Sequence, residues 1–310
     1  MDLRGISSTD IFIPTGQQAQ LEELANNALS KGIDLYMRQD YEGAIKEFRR
    51  SIGLAPNSSF SVDAASYMAD AHLTSEDTEG AIKAYKTALR LNPFRDDIHI
   101  NLGNLYFAEE RYEESGKSYE KAVKLWPVAD NHYALGQAYM NAGRYKDAEA
   151  QFNEVVRIDP DNPDGNYGLG LNYARQGRYE DAIVQFKAAV NIDDEFYDSY
   201  AELGYAYAEL GEMEESQRIV DILEKVDPGL GDTLSRYMYK VDPPKFMFAH
   251  ATSGFNYNMP WKSPLSALNG YLAVPNAEKT FTMNFQFDKE MDRESVENVL
   301  NWGIGRSTQN

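Results

Sequence analysis

Residues 135–160 have the sequence LGQAYMNAGRYKDAEAQFNEVVRIDP, and this stretch decides the fold of the chain. Its spacing predicts two short amphipathic helices with a turn between them. Leu135 and Tyr139 are four residues apart and share one face of the first helix. Phe152 and Val155 are three residues apart and share one face of the second. The stretch therefore predicts a helical hairpin whose two apolar faces pack together.

Small residues and breakers define this hairpin. Gly143 stands where the first helix must stop and the chain must turn. Pro160 ends the second helix, because a proline disfavours the helical conformation of the residue before it. Gly136 and Ala148 are small enough to let the two helix backbones approach closely. We expect Tyr139 and the aromatic residue of the second helix to fill the space beside them.

The same pattern recurs along the chain with a period of about 34 residues. Prolines close successive units at Pro56, Pro93, Pro127, Pro160 and Pro228. A small residue marks each first helix at Gly32, Ala69, Gly103, Gly136, Gly170 and Gly204. An aromatic residue marks the second helix of five units at Phe48, Tyr85, Tyr119, Phe152 and Phe186. Six units that each match most of the pattern are specific, whereas a single one would not be.

This order of Leu-Gly, Tyr, Ala, Phe, Ala and Pro resembles the tetratricopeptide repeat (TPR) over roughly residues 25–230. The resemblance implies an all-α solenoid, a right-handed superhelix of helix–turn–helix repeats. Each hairpin has an apolar face that only a neighbouring hairpin can bury, so the repeats should stack as one array.

We predict four segments. Residues 1–20 form an N-terminal lead, residues 21–230 form the six repeats, and residues 231–242 form a capping helix. Residues 243–310 form a small β-containing tail, because apolar and polar residues alternate from Thr280 to Phe287. The residues that follow, FDKEMD at 287–292, resemble the opening of a bacterial Ig-like domain.

Composition narrows the function. The chain has 310 residues, a formal charge of −19 and no cysteine. The negative charge repels phosphates and anionic lipid, so we expect no nucleic-acid partner. The absence of cysteine excludes disulfides, cysteine-ligated zinc and a thiol nucleophile. No apolar run reaches the length of about 20 residues that a membrane span needs. Because no signal peptide or membrane span is recognisable, we expect a cytoplasmic location by default, and the Ig-like resemblance of the tail leaves an extracytoplasmic one open.

The resemblance implies that a partner binds the surface lined by the first helix of each unit. Offsets from each unit's glycine predict the residues of this groove: Tyr36, Asp70, Asn104, Phe107, Tyr133, Gln137, Met140, Asn141, Tyr167, Leu171, Arg175, Tyr205 and Glu209. An aspartate recurs at the rim at 63, 97, 130, 164 and 198, where helix capping explains it better than ligand contact. The groove positions carry almost no basic residue apart from Arg175, which disfavours a C-terminal carboxylate as ligand. An apolar or basic protein segment suits them better.

No spacing predicts a catalytic residue, a metal site or a cofactor. The function that we predict is a non-enzymatic scaffold or adaptor that binds a peptide or partner segment in the groove. One alternative is a self-associating structural protein of an envelope or surface assembly. Another is the docking arm of an enzyme whose catalytic domain lies beyond residue 310.

Overall fold

The computed structural model describes residues 15–243, 246–251 and 283–287, which form thirteen α-helices and two β-strands. The helices are α1 Thr15–Met37, α2 Tyr41–Leu54, α3 Ser61–Thr74, α4 Thr78–Leu91, α5 Asp96–Ala108, α6 Tyr112–Leu125, α7 Ala129–Asn141, α8 Tyr145–Ile158, α9 Asp164–Ala174, α10 Tyr179–Ile192, α11 Tyr197–Glu209, α12 Met213–Leu223 and α13 Pro228–Val241. The strands are β1 Phe246–Ala251 and β2 Met283–Phe287, which pair antiparallel. None of the helices in this described part is long and apolar enough to cross a membrane.

Two predicted segments differ in extent from the structure. Helix α1 begins at Thr15, inside the predicted lead, because neither proline nor glycine interrupts residues 17–31. The predicted tail lies mostly outside the described residues, and β1 and β2 are its described parts. The Ig-like resemblance falls largely on residues 288–310, which also lie outside them.

The turns inside the hairpins require a left-handed backbone. Gly143 has a φ of +75°, so the prediction that it ends the first helix is confirmed. Gly177 and Gly211 take the same conformation in the next two hairpins. The first three hairpins use residues that have a Cβ at this point, and these are Gln39, Glu76 and Glu110.

The chain divides into two compact units, residues 1–206 and residues 207–310. In the first unit each helix from α1 to α10 packs on the next, which gives a continuous stack of hairpins. Phe152 shows why glycine recurs, since its ring is fully buried. A Cβ on Gly136 would lie 2.7 Å from this ring, and one on Gly168 would lie 2.5 Å from it. The predicted close approach at Gly136 is therefore confirmed.

The second unit contains α12 and α13, which pack together. Val220 and Leu223 of α12 and Leu234 of α13 are completely buried. Asp227 caps α13 by accepting a hydrogen bond from the backbone of Gly229, and Pro228 occupies the first helical position. The predicted capping helix, residues 231–242, overlaps α13.

Candidate partner-binding groove

The predicted binding residues of the first unit lie on the first helices α1, α3, α5, α7, α9 and α11, apart from Arg175, which directly follows α9. We call this surface the groove face. Two hydrogen bonds link neighbouring first helices across it. The Arg175 guanidinium donates to Asn141 Oδ1 at 2.9 Å, and the hydroxyls of Tyr36 and Thr74 are 3.3 Å apart. The structure thus brings residues of successive repeats together.

Tyr133 and Tyr167 form the aromatic part of the groove face. Both side chains are half-buried. The Tyr133 ring lies 5.6 Å from Phe152, and the Tyr167 ring meets Phe196 edge-on at 5.0 Å. Burial raises the pKa of Tyr133 to about 12, and the carboxylate of Asp164 adds to the shift. The two tyrosines therefore present neutral hydroxyls at any physiological pH.

Carboxylates surround these tyrosines. Burial raises the pKa of Asp164, and the charges of Asp130 and Asp159 raise it further. Burial also raises the pKa of Glu202, with Asp198 adding to the effect and Arg175 opposing it. Asp164 and Glu202 are thus partly buried carboxylates that each lie near other acids.

Sequence reasoning missed Glu202. It stands two residues before Gly204, an offset that the predicted groove did not include. The other five repeats have no acid at this offset, which was the available signal. Its neighbours in space are Arg175, Tyr167 and Tyr205. The charge of Glu202 helps to raise the pKa values of the two tyrosines.

The rim aspartates of α3 and α5 differ from those of the later repeats because they pair with an arginine. The Arg95 guanidinium contacts Asp63 at 2.9 Å and Asp97 at 2.7 Å. The hydrogen bond from Arg95 lowers the pKa of Asp97. Their counterparts Asp130, Asp164 and Asp198 form no ion pair within 4.0 Å among the described residues. The rim is therefore neutralised at one end of the stack and acidic at the other.

Asp70 and Asn104 each accept a hydrogen bond from the second helix of their own hairpin. The Tyr85 hydroxyl donates to Asp70 Oδ1 at 3.0 Å, and the Tyr119 hydroxyl donates to Asn104 Oδ1 at 2.6 Å. In the next two repeats the position that corresponds to Tyr85 and Tyr119 is a phenylalanine, Phe152 or Phe186, which has no hydroxyl. Gln137 and Leu171, at the same position as Asn104, are accordingly without this bond.

Residues four positions after the glycine lie at the margin of the groove face. Tyr36 and Phe107 are half-buried and meet Tyr41 and Tyr112 edge-on at 5.4 Å and 5.3 Å. Met140 is only 3% exposed and packs in a core cluster with Phe152. Met140 therefore belongs to the interior of the stack.

Two further predicted residues lie near the end of α11. Tyr205 is half-buried, and burial raises its pKa. Glu209 is exposed and belongs to the second unit, where it accepts a hydrogen bond from the Tyr237 hydroxyl. No group of three or more metal-ligating side chains is found within the described residues.

Comparison with known families tests the predicted repeats. Residues 68–130 and 133–195 match a family profile described as "Tetratricopeptide repeat", and residues 197–220 match a second profile with the same description. The predicted repeats are thereby confirmed, and the chain is an all-helical TPR solenoid over these residues. The matched segments end at residue 220, so the Ig-like resemblance of the tail stays a prediction.

Individual relatives match this chain over a short segment. The chain is 31% identical over 83 residues to Anaphase-promoting complex subunit 3 of Schizosaccharomyces pombe, covering 26% of this chain and 12% of that protein. A UDP-N-acetylglucosamine–peptide N-acetylglucosaminyltransferase of Giardia intestinalis is also 31% identical over 83 residues, covering 26% of this chain and 6% of that protein. The chain thus spans a small part of either relative.

A solved tetratricopeptide repeat protein from Parabacteroides merdae superposes with a TM-score of 0.57 at 14% identity. The match covers 70% of this chain and 86% of that one. At this identity the likeness shows the fold alone.

Proposed function

We propose that this chain is a non-enzymatic interaction protein whose groove face, at α7, α9 and residues 197–206 of α11, binds a basic segment of a partner protein. Tetratricopeptide-repeat proteins generally mediate protein–protein interactions, which supports the broad class. The finer assignment rests on the chemistry of these three helices.

The observation that carries the proposal is an unbalanced negative charge beside two half-buried tyrosine rings. Helices α7, α9 and α11 contain no lysine or arginine. They supply Asp130, Asp164, Asp198 and Glu202, and the pKa values of Asp164 and Glu202 are raised. Arg175, just after α9, is the cation that the structure places beside Glu202. A bound lysine or arginine would relieve the repulsion among these carboxylates.

The tyrosines of the groove face would bind the apolar part of the ligand. Tyr133 and Tyr167 are supported from behind by Phe152 and Phe186 at 5.6 Å and 6.0 Å. A rigid ring with a polar tip binds an aliphatic stem on its face and a hydrogen-bond partner at its hydroxyl. A cation over such a ring adds about 0.5–1 kcal/mol at an exposed site. The preferred ligand is therefore a segment in which basic and apolar residues lie close together.

The test is selection of a random displayed peptide library on the immobilised full-length chain. We expect the selected peptides to be rich in Lys and Arg and to contain an apolar residue. Their binding should fall at least tenfold in the double variant Tyr133→Ala/Tyr167→Ala, and similarly in Asp164→Asn/Asp198→Asn. The matched control is Asp161→Asn/Asp194→Asn, which makes the same change of charge at exposed turn residues of the same region.

Selected peptides that are acidic or that require a free C-terminal carboxylate would contradict the proposal. So would equal binding by the groove variants and the control. Mass by light scattering, measured on the same samples, reports self-association independently. A concentration-dependent increase of mass without any selected peptide would favour the self-assembling alternative.

A further inference from the structure

The second helices of the first unit carry a row of exposed cations that the groove does not use. In α4 these are Lys83, Lys86 and Arg90, and in α6 they are Lys117, Lys121 and Lys124. Spacings of three, four and seven residues place each set on one side of its helix. All six side chains are exposed. We call these six residues the basic face.

The carboxylates of the same helices are engaged elsewhere. Glu79 and Glu114 both contact the Arg111 guanidinium at 3.0 Å. Glu120 accepts a hydrogen bond from the Tyr139 hydroxyl at 2.7 Å. Within the part of the chain that the structure describes, no carboxylate forms an ion pair with the six cations within 4.0 Å. A chain of net charge −19 thus exposes six cations outside close ion pairs, although Lys83 and Lys117 lie near enough to Asp77 and Glu114 to help lower the pKa values of these two carboxyls.

Contacts around α5 link α4 to the beginning of α6. The Lys86 ammonium lies 5.6 Å from the centre of the Tyr106 ring, and the Arg111 guanidinium lies 4.6 Å from it. The bond from Arg111 to Glu79 joins the beginnings of the two helices. Lys46 and Arg49 of α2 line a cleft with His72, but Glu42 and Asp77 line it too. The basic face is therefore confined to α4 and α6.

Two large aromatic side chains are exposed at one end of this surface. Phe94 is 75% exposed and follows α4, and Trp126 is 60% exposed and follows α6. Each lies within four residues of a terminal cation of its helix, Arg90 or Lys124. Exposed tryptophan and phenylalanine beside lysine and arginine are typical of proteins that lie at a bilayer interface.

We propose that the basic face, together with Phe94 and Trp126, docks on the surface of an anionic lipid bilayer. The cations attract lipid headgroups, and the two rings enter the headgroup region. The net charge does not prevent this, because salt screens charges beyond about 8 Å at physiological ionic strength. Cations spread over parallel helices with the aromatics at one edge suit a flat surface better than a nucleic acid, whose bases need rings among the cations.

The test is sedimentation of the full-length chain with vesicles of phosphatidylcholine alone or with roughly one-third phosphatidylserine. We expect binding to the anionic vesicles only, and its loss when salt rises from about 50 mM to about 500 mM. The triple variant Lys83→Glu/Lys117→Glu/Lys121→Glu should bind on the order of 100-fold more weakly, at about fivefold per cation. The matched control is Lys146→Glu/Lys225→Glu/Lys240→Glu, with the same change of charge at other exposed positions.

Two further variants keep the test independent of folding. The corresponding Gln triple should lose binding in the same direction but less, and circular dichroism checks the helix content of each protein. Trp126→Ala should bind several-fold more weakly and should abolish a vesicle-induced blue shift of tryptophan emission. Absence of wild-type binding to anionic vesicles would overturn the proposal, as would equal loss in the two Glu triples. Binding to single-stranded oligonucleotides without binding to vesicles would replace the lipid by a nucleic acid.

Discussion

Two regions of the stack are built from the same type of helical hairpin but differ in the side chains that they expose. One region is repeats one to three, α1–α6, and the other runs from α7 to residue 206. The first group has cations on its second helices and a rim in which Arg95 neutralises Asp63 and Asp97. The second group has a rim of carboxylates and no lysine or arginine in α7, α9 or α11. A common core thus supports two surfaces of opposite charge.

The core explains why both surfaces are compatible with the same backbone. The aromatic column of the second helices is buried throughout, from Phe48 to Phe186. The members of this column differ only in the ring hydroxyl. Tyr85 and Tyr119 have one, which donates to Asp70 and Asn104, whereas the phenylalanines have none. Packing therefore sets the repeat, and the exposed positions are left to carry function.

The largest expected effect tests whether the glycine column is essential to the close packing at α7. In Gly136→Val the new side chain would meet the Phe152 ring, from which even a Cβ would be 2.7 Å away. We expect a loss of about 3 kcal/mol in the free energy of unfolding, measured by denaturant titration. The control is Gly53→Ala in α2, where nothing lies within 4 Å of the added Cβ. It should stabilise by up to about 1 kcal/mol, and an equal loss in both variants would refute the packing argument.

The second prediction compares Glu202, at the acidic end of the stack, with Asp97, at the neutralised end, by the pH dependence of protein stability. The raised pKa of Glu202 means that its charge costs stability above that pKa. Between the ordinary value of 4.5 and the raised value, the folded state binds more protons than the unfolded state, so stability falls as pH rises. Glu202→Gln should therefore raise Tm at pH 7 by roughly 2–4 °C, and the gain should shrink towards pH 4.5.

Asp97 should behave in the opposite sense. Arg95 lowers its pKa below the ordinary 3.8, so its contribution is present above pH 3.8 and is lost as pH falls further. Asp97→Asn should cost about 0.5 kcal/mol at pH 7. Thermal melts of both variants at several pH values check the pair. Shifts of the same sign at pH 7 would remove the distinction between the rims.

The third prediction transfers the neutralising arginine to the acidic rim. Val128 stands two residues before Asp130, as Arg95 stands two residues before Asp97. Val128→Arg should pair with Asp130 and weaken binding of the selected basic peptides about fivefold, or about 1 kcal/mol. Fluorescence anisotropy measures the affinity, and Val128→Gln is a control of similar length without charge. Unchanged affinity in both variants would place the ligand away from this rim.

The smallest effect concerns the hairpin turns. Glu110 has a φ of +57° where Gly143 has +75°. Glu110→Gly should relieve backbone strain and raise stability by under about 1 kcal/mol, whereas Gly143→Ala should lower it by about 1 kcal/mol. Differential scanning calorimetry of both proteins is the measurement. Destabilisation by Glu110→Gly would show that side-chain contacts outweigh the strain.

The predicted groove positions differ in burial. Tyr133 and Tyr167 are half-buried, whereas Met140, at another offset from the glycine, is 3% exposed. An offset from the glycine fixes the side of the helix on which a residue lies, but not how deeply that residue is buried. Glu202 was missed because its environment comes from α9, on a different repeat.

By itself, the sequence determined the repeat, its period and the glycines and prolines that delimit each hairpin. These are local properties, set by helix periodicity and by backbone conformations that few residues tolerate. Tertiary structure alone decided where the charges stand. Carboxylates at 79, 114 and 120 are engaged by Arg111 and Tyr139, while lysines between them in the chain face solvent. A net charge of −19 cannot reveal these exposed cations, because pairing depends on distances of about 3 Å, some of them between residues far apart in the chain, such as Arg111 and Glu79.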